Sequence, residues 1–332
     1  MNFDLTEVQA AWQAKGESLG REVAEGPVAA SVVQRAAREG LLDPRADLLA
    51  VAVAAEAMAF ESPAAAVIFA MHSGTALAMA GDGRFGSLFN GETVAAVSLS
   101  SDDAPVEQGG RLTGRAPWVA PITAHGIAVV GPRRGGERAA FAVALDAPGV
   151  AIEPVRTAAL AGVVCAHVTF ADAPCTPIGA TLPVMVRLRI LMAAAGLGIG
   201  RRALREALAA AARTPRPGSG NAAAAGEQTV QGLLADAATE LDAAMLLTWK
   251  AALGTTVGTR LSLADASMAK LASTGAVQRA VERATQVVGA DSFQRGHIIE
   301  RLAQDVRALE LFAGRTEALR EAVAAETLPE PG

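Results

Sequence analysis

Tyrosine is absent from these 332 residues, and aromatic residues make up only 4% of them, so no phenol can serve as a catalytic donor and the core must be built from small aliphatic side chains. Cysteine occurs twice, at Cys165 and Cys175, too few for a disulfide framework. The histidines His72, His125, His167 and His297 share no metal-ligand spacing with each other or with the cysteines, so no metal site is expected. Lys and Arg are scattered rather than gathered into a stripe, and the net charge is -5, which argues against a nucleic-acid partner. No apolar run of about 18 residues is free of charge or punctuation, and Met1-Asn2-Phe3-Asp4 does not open a leader sequence. A protein without a membrane span, located in the cytoplasm, is the expectation.

What is present is alanine, glycine and two changes of period. Residues 1–92 read as an N-terminal helical domain. Thr6 with Gln9 and Ser31 with Gln34 fit capping boxes, Ser62 before Pro63 fits an N-cap followed by proline, and Gly40 fits a stop. Leu5, Val8, Trp12, Leu19 and Val23 give the first helix an apolar face. Residues 93–176 read as a middle β domain, with strands at Val94–Leu99, Gly126–Val130, Ala139–Ala144 and Val163–Phe170. A turn-rich stretch, Cys175–Gly179, closes it. Residues 177–332 read as a C-terminal four-helix bundle with helices over roughly 183–212, 227–254, 263–289 and 297–325.

Motifs of the last third carry more information. Gln286-Val-Val-Gly289 is followed by Glu300-Arg301, Asp305, Arg307 and then Phe312-Ala313-Gly314-Arg315-Thr316, while Gln228-Thr-Val-Gln231-Gly-Leu-Leu-Ala-Asp236 lies upstream. Together with the order helices, β domain, bundle, this resembles the acyl-CoA dehydrogenase family. The resemblance implies an α+β multidomain fold and a flavoprotein that oxidises the α,β bond of an acyl-CoA or acyl-carrier thioester. It implies FAD as cofactor, a homodimer, homotetramer or heteromer with a complete homologue, and electron-transfer flavoprotein as a possible acceptor.

Residue by residue, the resemblance sets Ser100, Trp118, Ala120, Arg216, Gln228, Gln286, Gly289 and Thr316 at cofactor-contact positions. Arg189 and Gly314 fall at acyl-CoA positions. Ala313 stands where the family has its catalytic Glu, and Leu188 stands where some members carry an alternative one. Neither a methyl nor an isobutyl group accepts a proton. Glu310, one turn before Ala313 on the same face of the helix expected over 297–325, is a weak surrogate. Ser101, Ala290, Ser292 and Gln304 depart from the pattern as well. Three readings follow: a flavoprotein with poor or no ordinary dehydrogenase turnover, an inactive partner subunit, and a non-redox enzyme acting on an acyl thioester with the same scaffold.

Overall fold

The computed structural model describes residues 4–24, 26, 28–99, 104–131, 139–213, 224–255 and 261–328. Helices α1 (Glu7–Glu22), α2 (Ala29–Arg38), α3 (Leu48–Glu61) and α4 (Pro63–Leu77) come first. Thr6 and Gln9 form the reciprocal capping box expected of them, each side chain bonded to the other's backbone N–H. Gly40, at φ +71, follows α2 while the Gly40 and Leu41 N–H groups bond back to the Ala37 and Ala36 carbonyls, a Schellman closure. Two start signals differ from expectation. Ser31 lies inside α2, because Ala29 and Ala30 already propagate the helix from the Val28 N-cap. Ser62 occupies the N-cap position of α4 without a side-chain cap bond. Val8 is exposed, and the buried face of α1 is instead Trp12, Gly16, Leu19, Gly20 and Val23 with Gln9.

Small residues set the helix spacing. A Cβ added to Gly16 would stand 2.3 Å from the Ala54 carbonyl oxygen of α3. One added to Gly198, on the helix α5 (Leu182–Arg213), would stand 2.1 Å from the Glu56 carbonyl oxygen. Backbones of α1, α3 and α5 therefore meet where ordinary side chains would hold them apart.

The middle segment forms two sheets. β1 (Val94–Ser98), β4 (Gly126–Val130), β5 (Ala139–Ala144) and β8 (Thr176–Ala180) run in that spatial order, with β1 parallel to β4 and the other pairs antiparallel. The second sheet is ordered β2 (Val106–Gln108), β3 (Arg111–Val119), β7 (Cys165–Pro174), β6 (Val150–Val155), all antiparallel. Leu112, Val119, Val130, Val143, Val168 and Phe170 help fill the space between them. The stretch Cys175–Gly179 is mostly the strand β8 rather than a turn. Pro177 is compatible with it because β8 is an edge strand, as is β6 with Pro154. β7 begins at Cys165, later than the alternation suggests: Val164 is 43% exposed and Cys165 is buried.

His72 joins α4 to this segment. Its Nδ1 accepts the Ala95 N–H at 3.0 Å and its Nε2 donates to the Leu88 carbonyl at 2.9 Å, which fixes a neutral tautomer. Burial pushes the imidazole down to about 4, against the pull of the Leu88 hydrogen bond.

After β8 come α5, α6 (Gln228–Leu253), α7 (Leu263–Val288), α8 (Ile298–Leu311) and α9 (Thr316–Thr327). α5 has the length and apolarity to cross a membrane, but its apolar window is 78% buried within the protein, as befits the central helix of a bundle. The last helix expected over 297–325 is two helices. Ala313 at φ +58 and Gly314 at φ +114 cannot continue an α-helix, so the chain turns between α8 and α9. Glu310 and Ala313 therefore do not share one helix face.

Candidate functional site

The bend between α8 and α9 is held from two other bundle helices. From α5, Arg189 donates through Nε to the Ala313 carbonyl at 3.2 Å and through Nη1 to Ser267 Oγ at 2.6 Å. Ser267 in turn donates to the Leu263 carbonyl one turn earlier in α7, so its lone pair faces the guanidinium. Arg189 is only 5% exposed, and its fork is used on the protein's own groups. A Cβ on Gly314 would come within 3.3 Å of Arg189 Nη2, and its φ of +114 is one that glycine tolerates. From α7, Lys270 donates through Nζ to the carbonyls of Leu309, Glu310 and Gly314 at 3.4, 3.1 and 3.3 Å.

Glu310 faces α7. Its Oε2 accepts from Gln278 Nε2 at 2.8 Å and its Oε1 from the Thr316 hydroxyl at 3.1 Å, so both oxygens are engaged by protein donors. Leu188 is 3% exposed and packs on α4, its Cδ2 lying 3.2 Å from where a Gly74 Cβ would be. The structure thus gathers Arg189, Glu310, Ala313, Gly314 and Thr316 at one bend. Sequence reasoning missed Lys270, Ser267 and Gln278. A signal was there: Lys270 falls on the same helical face as Ala266, Ala269, Ser273 and Val277, all buried, and a lone charge on such a face needs partners.

The other candidate residues lie on different elements. Gln228 is exposed at the first position of α6, Gln286 is exposed near the end of α7, and Gly289 terminates α7 at φ +76. Trp118, at the end of β3 with φ +54, is 54% exposed and meets His167 edge-to-face, ring centroids 5.6 Å apart. Nδ1 of His167 is buried without a hydrogen-bond partner. Ala120 is fully buried, with both backbone groups paired to Val97. Ser100, Ser101 and Arg216 lie outside the described residues.

Asp305 of α8 reaches the middle segment. Its Oδ1 accepts the Leu160 N–H at 2.6 Å, and burial raises its carboxyl against that bond.

Residues 180–328 match the family described as acyl-CoA dehydrogenase, C-terminal domain. The C-terminal helical region of this chain belongs to the acyl-CoA dehydrogenase family. The 3-sulfinopropanoyl-CoA desulfinase of Paraburkholderia xenovorans is 31% identical over 197 residues, which are 55% of this chain and 49% of that protein, so the chain matches about half the length of this curated relative. Among solved structures, butyryl-CoA dehydrogenase from Megasphaera elsdenii superposes with a TM-score of 0.87 at 17% identity, covering 99% of this chain and 100% of that one. Glutaryl-CoA dehydrogenase from Mycobacterium smegmatis, in complex with FADH2, gives a TM-score of 0.83 at 14% identity over 97% and 95% of the two chains. At such identities the structures show the fold: a helical N-terminal domain, a middle β segment and a helical C-terminal region, as the acyl-CoA dehydrogenase pattern implies.

Proposed function

We propose that this acyl-CoA dehydrogenase-family chain binds FAD and an acyl-CoA or carrier-bound acyl thioester, yet carries out ordinary α,β-dehydrogenation slowly or not at all. The observation behind this reading is Ala313. Its carbonyl is pinned by Arg189 and the bend around it is pinned by Lys270, so the position is built as a site while its side chain is a methyl. Leu188, at the alternative base position, is buried against α4. Glu310 is committed to Gln278 and Thr316 rather than left open for a substrate proton.

Support for a flavin comes from this chain's own surface. Trp118 offers an exposed indole face on which a flat ring can stack. His167 Nδ1 beside it is an orphaned polar atom in want of a partner. Ala120 provides no hydroxyl and no free backbone group, so contact there would be by packing alone. When bound, FAD supplies a hydride acceptor. The protein's residues then act by position: Arg189 keeps the Ala313 carbonyl in place, and Gly314 leaves its backbone free of a side chain. A homo-oligomer, or a heteromer with a complete homologue, belongs to the same reading.

A second reading is a different reaction on an acyl thioester. It is favoured by the relative named as a desulfinase, since a chain without a proton acceptor at either base position suits chemistry that does not begin at an α-proton. The deciding experiment is the visible spectrum of purified protein with and without added FAD, followed by anaerobic titration with butyryl-CoA. The expected result is retained flavin whose spectrum shifts with the thioester without bleaching. Full bleaching would overturn the proposal in favour of a working dehydrogenase, and a protein that never retains FAD would overturn it in favour of an inactive partner subunit.

A further inference from the structure

Lys270 is a buried cation for which the proposed chemistry has no use. It is 1% exposed, and taking an ammonium out of water costs several kcal/mol unless hydrogen bonds replace those it gives up. Here the replacements are three carbonyl oxygens, which match the three hydrogens of a charged ammonium. Two of them, Leu309 and Glu310, are carbonyls that the end of α8 leaves without intrahelical partners, at the negative pole of that helix. The third, Gly314, is on the far side of the Ala313 bend. One ammonium thus spans the bend, while Arg189 holds its middle from α5.

We propose that Lys270 is a positioning residue whose charged ammonium ties the end of α8 to Gly314 and so fixes the bend that carries Ala313 and Gly314. The consequence for a ligand rests on the acyl-thioester reading above; the clasp itself does not. The charged groups facing Nζ are Arg189 from α5 and Glu310 from α8, and they oppose one another. Burial, and then the Arg189 guanidinium, pull the ammonium down to about 7, while the Glu310 carboxylate pulls it up. A neutral amine has one hydrogen fewer and no net attraction to the helix end. The bend is therefore tight below that pH and looser above it.

Backbone amide exchange of the full chain tests this, read over 309–316 with α3 as the internal reference, at pH values on both sides of 7 and corrected for intrinsic rates. In the wild type, protection of 309–316 is expected to fall about tenfold as pH rises through the transition, with α3 unchanged. Lys270→Met should show the low protection at every pH and no transition. Equal protection in the variant and the wild type would overturn the proposal, as would a loss spread evenly over α5 to α9, which marks a general packing role. Should the variant fail to fold, the wild-type series decides alone, and a flat profile over 309–316 overturns the clasp. Butyryl-CoA titrated calorimetrically into both proteins is expected to bind Lys270→Met about tenfold more weakly. If the wild type binds no thioester, the ligand reading fails while the exchange data still judge the clasp.

Discussion

Leu160 and Asp305 stand 145 positions apart in the chain and share a 2.6 Å hydrogen bond from backbone N–H to carboxylate. Leu160 sits in the connection between β6 and β7 at φ +53, a conformation that a leucine adopts only when its surroundings hold it there. The bond fastens the middle β segment to α8, about two turns ahead of the Ala313 bend. Asp305→Ala should cost roughly 1.5–3 kcal/mol, the range for hydrogen bonds to charged groups. Asp305→Asn, which keeps an acceptor oxygen, should lose less than Ala does. Urea unfolding of the three proteins measures both, and equal losses would show that acceptance of the Leu160 N–H contributes nothing.

His72 gives the fold a pH dependence with a definite sign. Its imidazole is held down to about 4 in the folded chain, while an unfolded histidine titrates near 6.5. Between those values the unfolded state binds the proton and the folded state does not, so stability is present above 6.5 and is lost as pH falls toward 4. The loss attributable to this group is of order 3 kcal/mol. Comparing denaturation midpoints of wild type and His72→Leu across this window should show a smaller slope for the variant, alongside its lower stability at neutral pH.

Ala313→Glu restores a carboxylate at a bend already held by Arg189 and Lys270. If FAD and thioester bind, dehydrogenation should rise by at least the factor of about 100 typical of a positioned general base. A flavin-replete, thioester-binding variant that stays inactive would count against the missing base as the cause. Ala313→Gly probes the backbone instead. Relief of a left-handed alanine, partly offset by the greater freedom of an unfolded glycine, should raise stability by about 0.5–1 kcal/mol.

Gly16→Ala should reverse the usual helix rule. In an exposed helix alanine is better than glycine by about 1 kcal/mol. At this position the new methyl would stand 2.3 Å from the Ala54 carbonyl oxygen, so α1 must move off α3, at a cost of roughly 1–3 kcal/mol. A thermal midpoint equal to or above wild type would refute the close approach.

Much of this architecture is legible in the amino-acid order because local chemistry and tertiary structure agree. The Thr6–Gln9 capping box, the Gly40 stop and the short apolar strands β1, β4 and β5 follow from residues acting on their near neighbours. Edge strands β6 and β8 are hidden by Pro154 and Pro177, whose compatibility with a strand depends on there being no neighbour on one side. The break after α8 is hidden for another reason. Leu302, Val306, Leu309 and Phe312 keep the helical period up to the bend, and what ends the helix is the extended Phe312 followed by Ala313 and Gly314 at positive φ, a bend held by cations from α5 and α7. Periodicity reports which face a residue shows; it is silent on a carbonyl's partner across a bundle. Family resemblance marks Arg189 as a ligand contact, whereas it donates to the Ala313 carbonyl and the Ser267 hydroxyl.

The exposure of Trp118 also shapes the protein's optical behaviour. With no tyrosine in the chain, ultraviolet emission arises from tryptophan, and of the three indoles Trp12 is buried at 8%, Trp249 is half-buried and Trp118 is open to solvent at 54%. The solvent-exposed component of that emission therefore reports chiefly on one face of the β domain. A flat, light-absorbing ring laid on that face would darken it, so the native chain carries its own indicator of whether the place beside His167 is filled.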